Sequence, residues 1–146
     1  MWHRLWLLWG TVILLTGILP LSNFIGQPQW DNIHWFITTN DVRHRRFFLD
    51  ILLNIGLYIP FGFFYARYAL TNGCRDASRG LRLAFVLSGS IESYQVFCDH
   101  RFPSILDLLN NTAGAVIGVV AAKLLHTYLS PSAPLTPTLP DRTPAP

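Results

Sequence analysis

No formally charged residue interrupts the chain from Leu5 to Trp30. As a helix rising 1.5 Å per residue, such a run exceeds the roughly 30 Å hydrocarbon core of a bilayer, even with Pro20 ending it early. Three more apolar blocks follow. Phe48 to Leu70 is uncharged between Ile51 and Ala66, Leu81 to Cys98 carries only Arg82 and Glu92, and Leu108 to Leu129 is uncharged until Lys123. A chain of 146 residues allows one domain, and 13% of it is charged where about 25% is usual in soluble domains. A soluble protein this small would struggle to cover its surface, so bilayer is the expected solvent. The blocks predict an all-α polytopic membrane bundle of four transmembrane helices at about 5–21, 48–70, 81–98 and 108–129. A cleaved signal peptide competes for the first block, because Arg4 precedes it. Cleavage requires small residues, however, and no alanine occurs before Ala66.

The connections are a long first loop (Ser22 to Phe47), an Arg-rich second loop (Gly73 to Gly80) and a third loop (Asp99 to Leu106). Trp30, Trp35 and Phe36 suit an interfacial segment, since Trp favours the headgroup zone. Residues 1–129 form the expected transmembrane domain. In residues 130–146 six of seventeen positions are proline, which predicts an extended, disordered tail. Pro60 lies inside the second helix, where a membrane setting tolerates it. Cys74 and Cys98 match no CxxC or zinc spacing and read as free thiols. No metal site and no cofactor are expected.

Net charge is +3, and ten of the eleven cations are Arg scattered between apolar blocks. No basic face interleaved with aromatics exists, which argues against nucleic acid as a partner. If the helices alternate, one side holds Arg4, Arg67, Arg75, Arg79, Arg82, Lys123 and Arg142, and the other holds Arg43, Arg45, Arg46 and Arg101. The excess predicts both termini in the cytoplasm.

Polar residues inside such helices carry the information. Ser88, Glu92, Gln95 and Asp99 are spaced 4, 3 and 4 along the third helix and so share a face. A carboxylate near the centre of a membrane helix costs roughly 2.5–3.5 kcal/mol on insertion scales, whereas an interhelical hydrogen bond returns about 0.6. Glu92 therefore calls for a cationic partner, several donors, water or a proton. Ser104 and Asp107 have capping-box spacing. Asp107, Asn111, Gly114 and Gly118 continue at helical spacing, and Gly114, Gly118 and Ala122 form a small-residue ridge for close packing. Asn54 and Tyr58 make a third polar face.

The run Asn54 to Gly62 with Ile59-Pro60-Phe61-Gly62, then Glu92-x-x-Gln95, Arg101 and Asp107-x-x-x-Asn111-Thr112-x-Gly114-x-x-x-Gly118, resembles the VanZ family of small bacterial membrane proteins over residues 50–118. That family often carries an acid three positions before the Asp107 equivalent; here the residue is Ser104. The resemblance implies a multi-pass protein of the bacterial cytoplasmic membrane. The family's namesake confers resistance to the lipophilic glycopeptide teicoplanin without altering the peptidoglycan precursor.

Three functions compete. In the first, Asn54, Glu92, Gln95, Arg101, Asp107 and Asn111 converge near the outer ends of helices 2, 3 and 4 and bind a lipid headgroup or other polar envelope ligand, while Gly62, Gly114 and Gly118 pack the helices. Arg101 is expected to pair with Glu92 or Asp107, or to grip a phosphate bidentately. In the second, a hydrolase uses His100 as base with Ser90, Ser93 or Ser104 as nucleophile, although neither G-x-S-x-G nor H-E-x-x-H is present. The five histidines, His3, His34, His44, His100 and His126, lack helical ligand spacing and read as exposed loop residues. In the third, the bundle docks another membrane protein. The partners expected are membrane lipids, with an envelope ligand or a membrane-protein partner beside them.

Overall fold

The computed structural model describes residues 1–35, 45–73, 76 and 78–129, with backbone alone at 45 and 46. Expectations that rest on Phe36, Arg43, His44, Cys74, Arg75, Arg142 or the Pro-rich tail lie outside those residues, as do the side chains of Arg45 and Arg46. Four helices make up the described fold: α1 (Trp2–Ile18), α2 (Arg45–Thr71), α3 (Ser78–Gln95) and α4 (Ile105–Leu129). Two of them, over Phe47–Thr71 and Ile105–Leu129, are long and apolar enough to cross a membrane.

Each helix starts three residues before its apolar block, because helical hydrogen bonding extends into flanking polar or terminal residues that hydropathy does not register. For α4 the cap is Ser104, whose Oγ accepts from Leu106 N–H at 3.1 Å. For α3 it is Asp76, whose carboxylate accepts from Ser78 N–H at 3.0 Å and from the Ser78 hydroxyl. Helix α1 stops at Ile18 rather than Leu21, since Leu19 precedes a proline and takes an extended conformation (φ −85°, ψ 149°).

Helices α2 and α4 run parallel and make the closest pair. A Cβ added to Gly62 would overlap the Ala115 carbonyl, one on Gly114 the Ile55 carbonyl, and one on Gly118 the Ile59 carbonyl and Phe63 N. These three glycines allow backbone to approach backbone, the geometry that small residues give to membrane helices. Helix α3 packs antiparallel to both, with Gly80 against the Tyr65 ring. Helix α1 adds aromatic contacts: Trp2 lies edge-on to Phe63, Trp6 packs on Phe61 and Tyr65, and Arg67 sits over the Trp2 ring at 5.2 Å. Trp9 Nε1 donates to Leu57 O at 2.8 Å, one residue beyond the Gly56 carbonyl that Pro60 leaves without its usual donor. Ile13, Tyr58, Phe61, Ala84, Ile91 and Ala115 form the main core. This up-down-up-down order brings the C-terminal ends of α1 and α3 and the N-terminal ends of α2 and α4 to one end of the bundle.

Candidate functional site

That shared end is polar and is closed by two loops strapped together. Ile25 N–H donates to Phe97 O at 3.0 Å, Gln29 N–H to Val96 O at 2.8 Å, Asp99 N–H to Asn23 O at 2.7 Å and His34 N–H to Pro103 O at 2.9 Å. Phe24 stacks on Tyr94, and His34 on Phe102. Trp30 and Trp35 are exposed beside this strap.

Beneath it, Asn54 of α2 donates its Nδ2 to Asp107 Oδ1 of α4 at 2.6 Å. Glu92 of α3 accepts the Ser104 N–H at 2.9 Å through Oε2. In a capping box the N3 residue, here Asp107, reaches back to that N–H. Glu92 takes the part from a different helix, and Asp107 is left to bind Asn54. The expected capping box is thus half formed, with Ser104 acting as cap. Deeper in, Asn111 Nδ2 donates to Ser88 Oγ at 2.8 Å, both residues being buried. Tyr58 is 1% exposed, and among the described residues neither its hydroxyl, near Ser88, nor Asn111 Oδ1 has a hydrogen-bond partner.

The expected set therefore divides. Asn54, Glu92, Asp107 and Asn111 come together with Ser88 and Tyr58, whereas Gln95 and Arg101 serve α1. Gln95 Nε2 donates to Gly17 O at 3.0 Å, and an Arg101 Nη2 donates to Leu19 O. Both bonds supply donors to carbonyls at or just beyond a helix C-terminus, where such carbonyls lack internal partners and where cations are favoured. The expected pairing of Arg101 with Glu92 or Asp107 is corrected: among the described residues Arg101 forms no ion pair with either carboxylate and its guanidinium donates to Leu19 O instead. The reason is the early end of α3 at Gln95, after which the chain turns toward α1. Asp99 leaves the helical stripe for the same reason and pairs with exposed His100 at 3.2 Å.

Two residues outside the expected set belong here. Asp50, one helical turn before Asn54, and His34 from the first loop both act electrostatically on Asp107. The turn spacing of Asp50, Asn54 and Tyr58 was visible in sequence; the contribution of His34 depends on the loop strap and was not. Ser90 and Ser93 donate their hydroxyls to Val86 O and Gly89 O of their own helix, and Ser104 is the cap. None of these bonds leads to His100. At the second loop, outside the apolar spans, the Ser78 hydroxyl holds the Asp76 carboxyl below the usual Asp range, helped by the Ser78 N–H and by Arg82 and Arg79.

The family model for VanZ/LLP1 matches residues 6–126. The chain belongs to the VanZ/LLP1 family. The match takes in α1, which the motif resemblance over 50–118 did not reach, so the VanZ-like unit includes the helix that Gln95 and Arg101 fasten. Family membership and the two apolar helices make this VanZ-like chain a membrane protein. No curated protein and no solved structure matches it.

Proposed function

We propose that this chain spans the bacterial cytoplasmic membrane four times, with both termini in the cytoplasm. On this reading it binds a polar envelope or lipid-headgroup ligand at the Asn54, Glu92, Asp107 and Asn111 end, and through that binding it changes sensitivity to lipophilic glycopeptides. The observation that carries the binding reading is the pair of interhelical bonds that hold two carboxylates, Glu92 and Asp107, at one depth in a protein short of charge. Ionisable groups at membrane depth are expensive to keep and mark functional positions by default. Four spans are supported by large apolar side chains exposed on every helix, including Leu8, Leu53, Val86 and Leu124. Helices α1 and α3 have 17 and 18 residues. At 1.5 Å per residue each is about 26 Å long, within a few ångströms of the hydrocarbon thickness. The aromatic residues of the strap suit an interface just outside the polar end.

The test is expression of the chain in a glycopeptide-sensitive bacterium, as wild type and as Glu92→Gln. Gln keeps an acceptor for the Ser104 N–H and removes the charge. The reading expects wild type to shift the inhibitory concentration and Glu92→Gln, at equal membrane level, to lose the shift. An unchanged shift in the variant would favour the assembly reading, in which the polar end only docks another membrane protein. A reporter active only in the cytoplasm, fused after Leu129, is expected to be active.

A further inference from the structure

We propose, building on the headgroup-binding reading, that the group recognised at this end of the bundle is an ammonium rather than a phosphate. Three carboxylates gather at this end: Asp50 lies one turn before Asn54 on α2, Asn54 bonds Asp107, and Glu92 holds the Ser104 N–H three residues before Asp107. Among the described residues neither Glu92 nor Asp107 has an ion-pair partner, and Arg101 gives an N–H to the Leu19 carbonyl of α1. The site as described is therefore acidic, and a phosphate would meet like charge.

Hydrogen bonding points the same way. Each of the two interhelical carboxylates is shown accepting one bond, from Asn54 or from Ser104, while a carboxylate has room for about four. One turn deeper, Asn111 is 7% exposed, and among the described residues its Oδ1 has no donor and the Tyr58 hydroxyl near Ser88 has no partner. Buried polar atoms are paired in the great majority of cases, so an orphaned acceptor next to two carboxylates marks a place for a donor. An ammonium offers three donors and no acceptor, whereas a phosphate brings further acceptors to a site already rich in them. A metal ion fits less well, because no grouping of three or more His, Cys, Asp or Glu suited to one occurs among the described residues.

The ammonium belongs either to a lipid or to a soluble amine, and matched probes separate these. The full chain in neutral maltoside micelles is titrated calorimetrically with dodecylammonium, butylammonium and dodecyl phosphate. Binding of dodecylammonium, weakened about tenfold or more in Glu92→Gln/Asp107→Asn, is the expected result, since hydrogen bonds to a charged group are roughly twice as strong as neutral ones. Both substitutions keep the acceptors used by Ser104 and Asn54, and an unchanged thermal melt verifies folding. Butylammonium binding equally well assigns the ligand to a soluble amine; much weaker binding assigns it to a lipid. Dodecyl phosphate binding as tightly as dodecylammonium, or no effect of the double substitution, overturns the ammonium assignment and leaves a headgroup site of other chemistry. Absence of dodecylammonium binding also overturns it, and the antibiotic response of Glu92→Gln then decides separately whether any ligand site exists.

Discussion

Helices α2 and α4 meet in two ways along a single contact. From Ile55 to Phe63 on one helix and from Gly114 to Gly118 on the other, backbone touches backbone with no room for a methyl group. Toward the polar end, the same helices present Asn54, Asp107 and Asn111, which bond to each other or to α3 and leave a buried acceptor without a donor among the described residues. The first region is fully determined by packing. The second is held in place by the first but is not itself completed by the described residues. Close packing and polar incompleteness side by side suggest a division of labour, with the glycine seam fixing depth and register and the polar end using them.

Substitutions in the seam should be the most damaging. Gly118→Val puts a branched side chain into the Ile59 carbonyl and is expected to abolish folded protein, measured as loss of the monodisperse species after extraction. Gly62→Ala adds one methyl against Ala115 and is expected to destabilise by about 1–3 kcal/mol, the usual range for overpacking. If Gly62→Ala melted like wild type, the seam would be looser than described.

At the polar end the identity of the replacement matters more than its size. Glu92→Ala strips the acceptor from Ser104 N–H and is expected to cost about 1–3 kcal/mol for the unsatisfied donor, while Glu92→Gln costs little. Equal melts for the two would mean that α4 is capped without Glu92. The fastening of α1 is weaker. Gln95→Ala removes one bond to Gly17 O and is expected to cost about 1 kcal/mol, read as earlier hydrogen exchange at the end of α1.

The smallest effect lies at the second loop. The carboxyl of Asp76 is more acidic in the folded state, so its stabilisation is complete above the ordinary Asp range and is lost as pH falls through the depressed folded value. Wild type and Asp76→Asn should therefore differ slightly in melting temperature near neutral pH and converge in acid. Salt should reduce the difference, because Asp76 and its Arg partners are exposed.

The helices were legible from uncharged blocks, because the bilayer requirement is written in composition. The partners Asn54, Asp107 and Asn111 were legible from helical spacing. Arg101 was not. Its assignment to Leu19 rather than to an acid depends on α3 ending at Gln95, and no apolar pattern marks that end, since Val96 and Phe97 continue the run. Asp50 carried a readable signal in its four-residue spacing from Asn54. His34 carried none, because a residue in a long loop acquires its position only from hydrogen bonds made across the chain.

Asp107→Asn set beside Gly62→Ala decides whether the seam holds the fold while the polar end holds a ligand. Membrane level, melting temperature and shift in glycopeptide sensitivity are measured for both. Asp107→Asn should keep its level and melt, because Asn still accepts the Asn54 hydrogen bond, and lose the shift. Gly62→Ala is predicted to fall in level and melt while retaining its effect per molecule. Loss of folded Asp107→Asn protein with an undiminished shift per surviving molecule would contradict the account and make the polar end a second packing element.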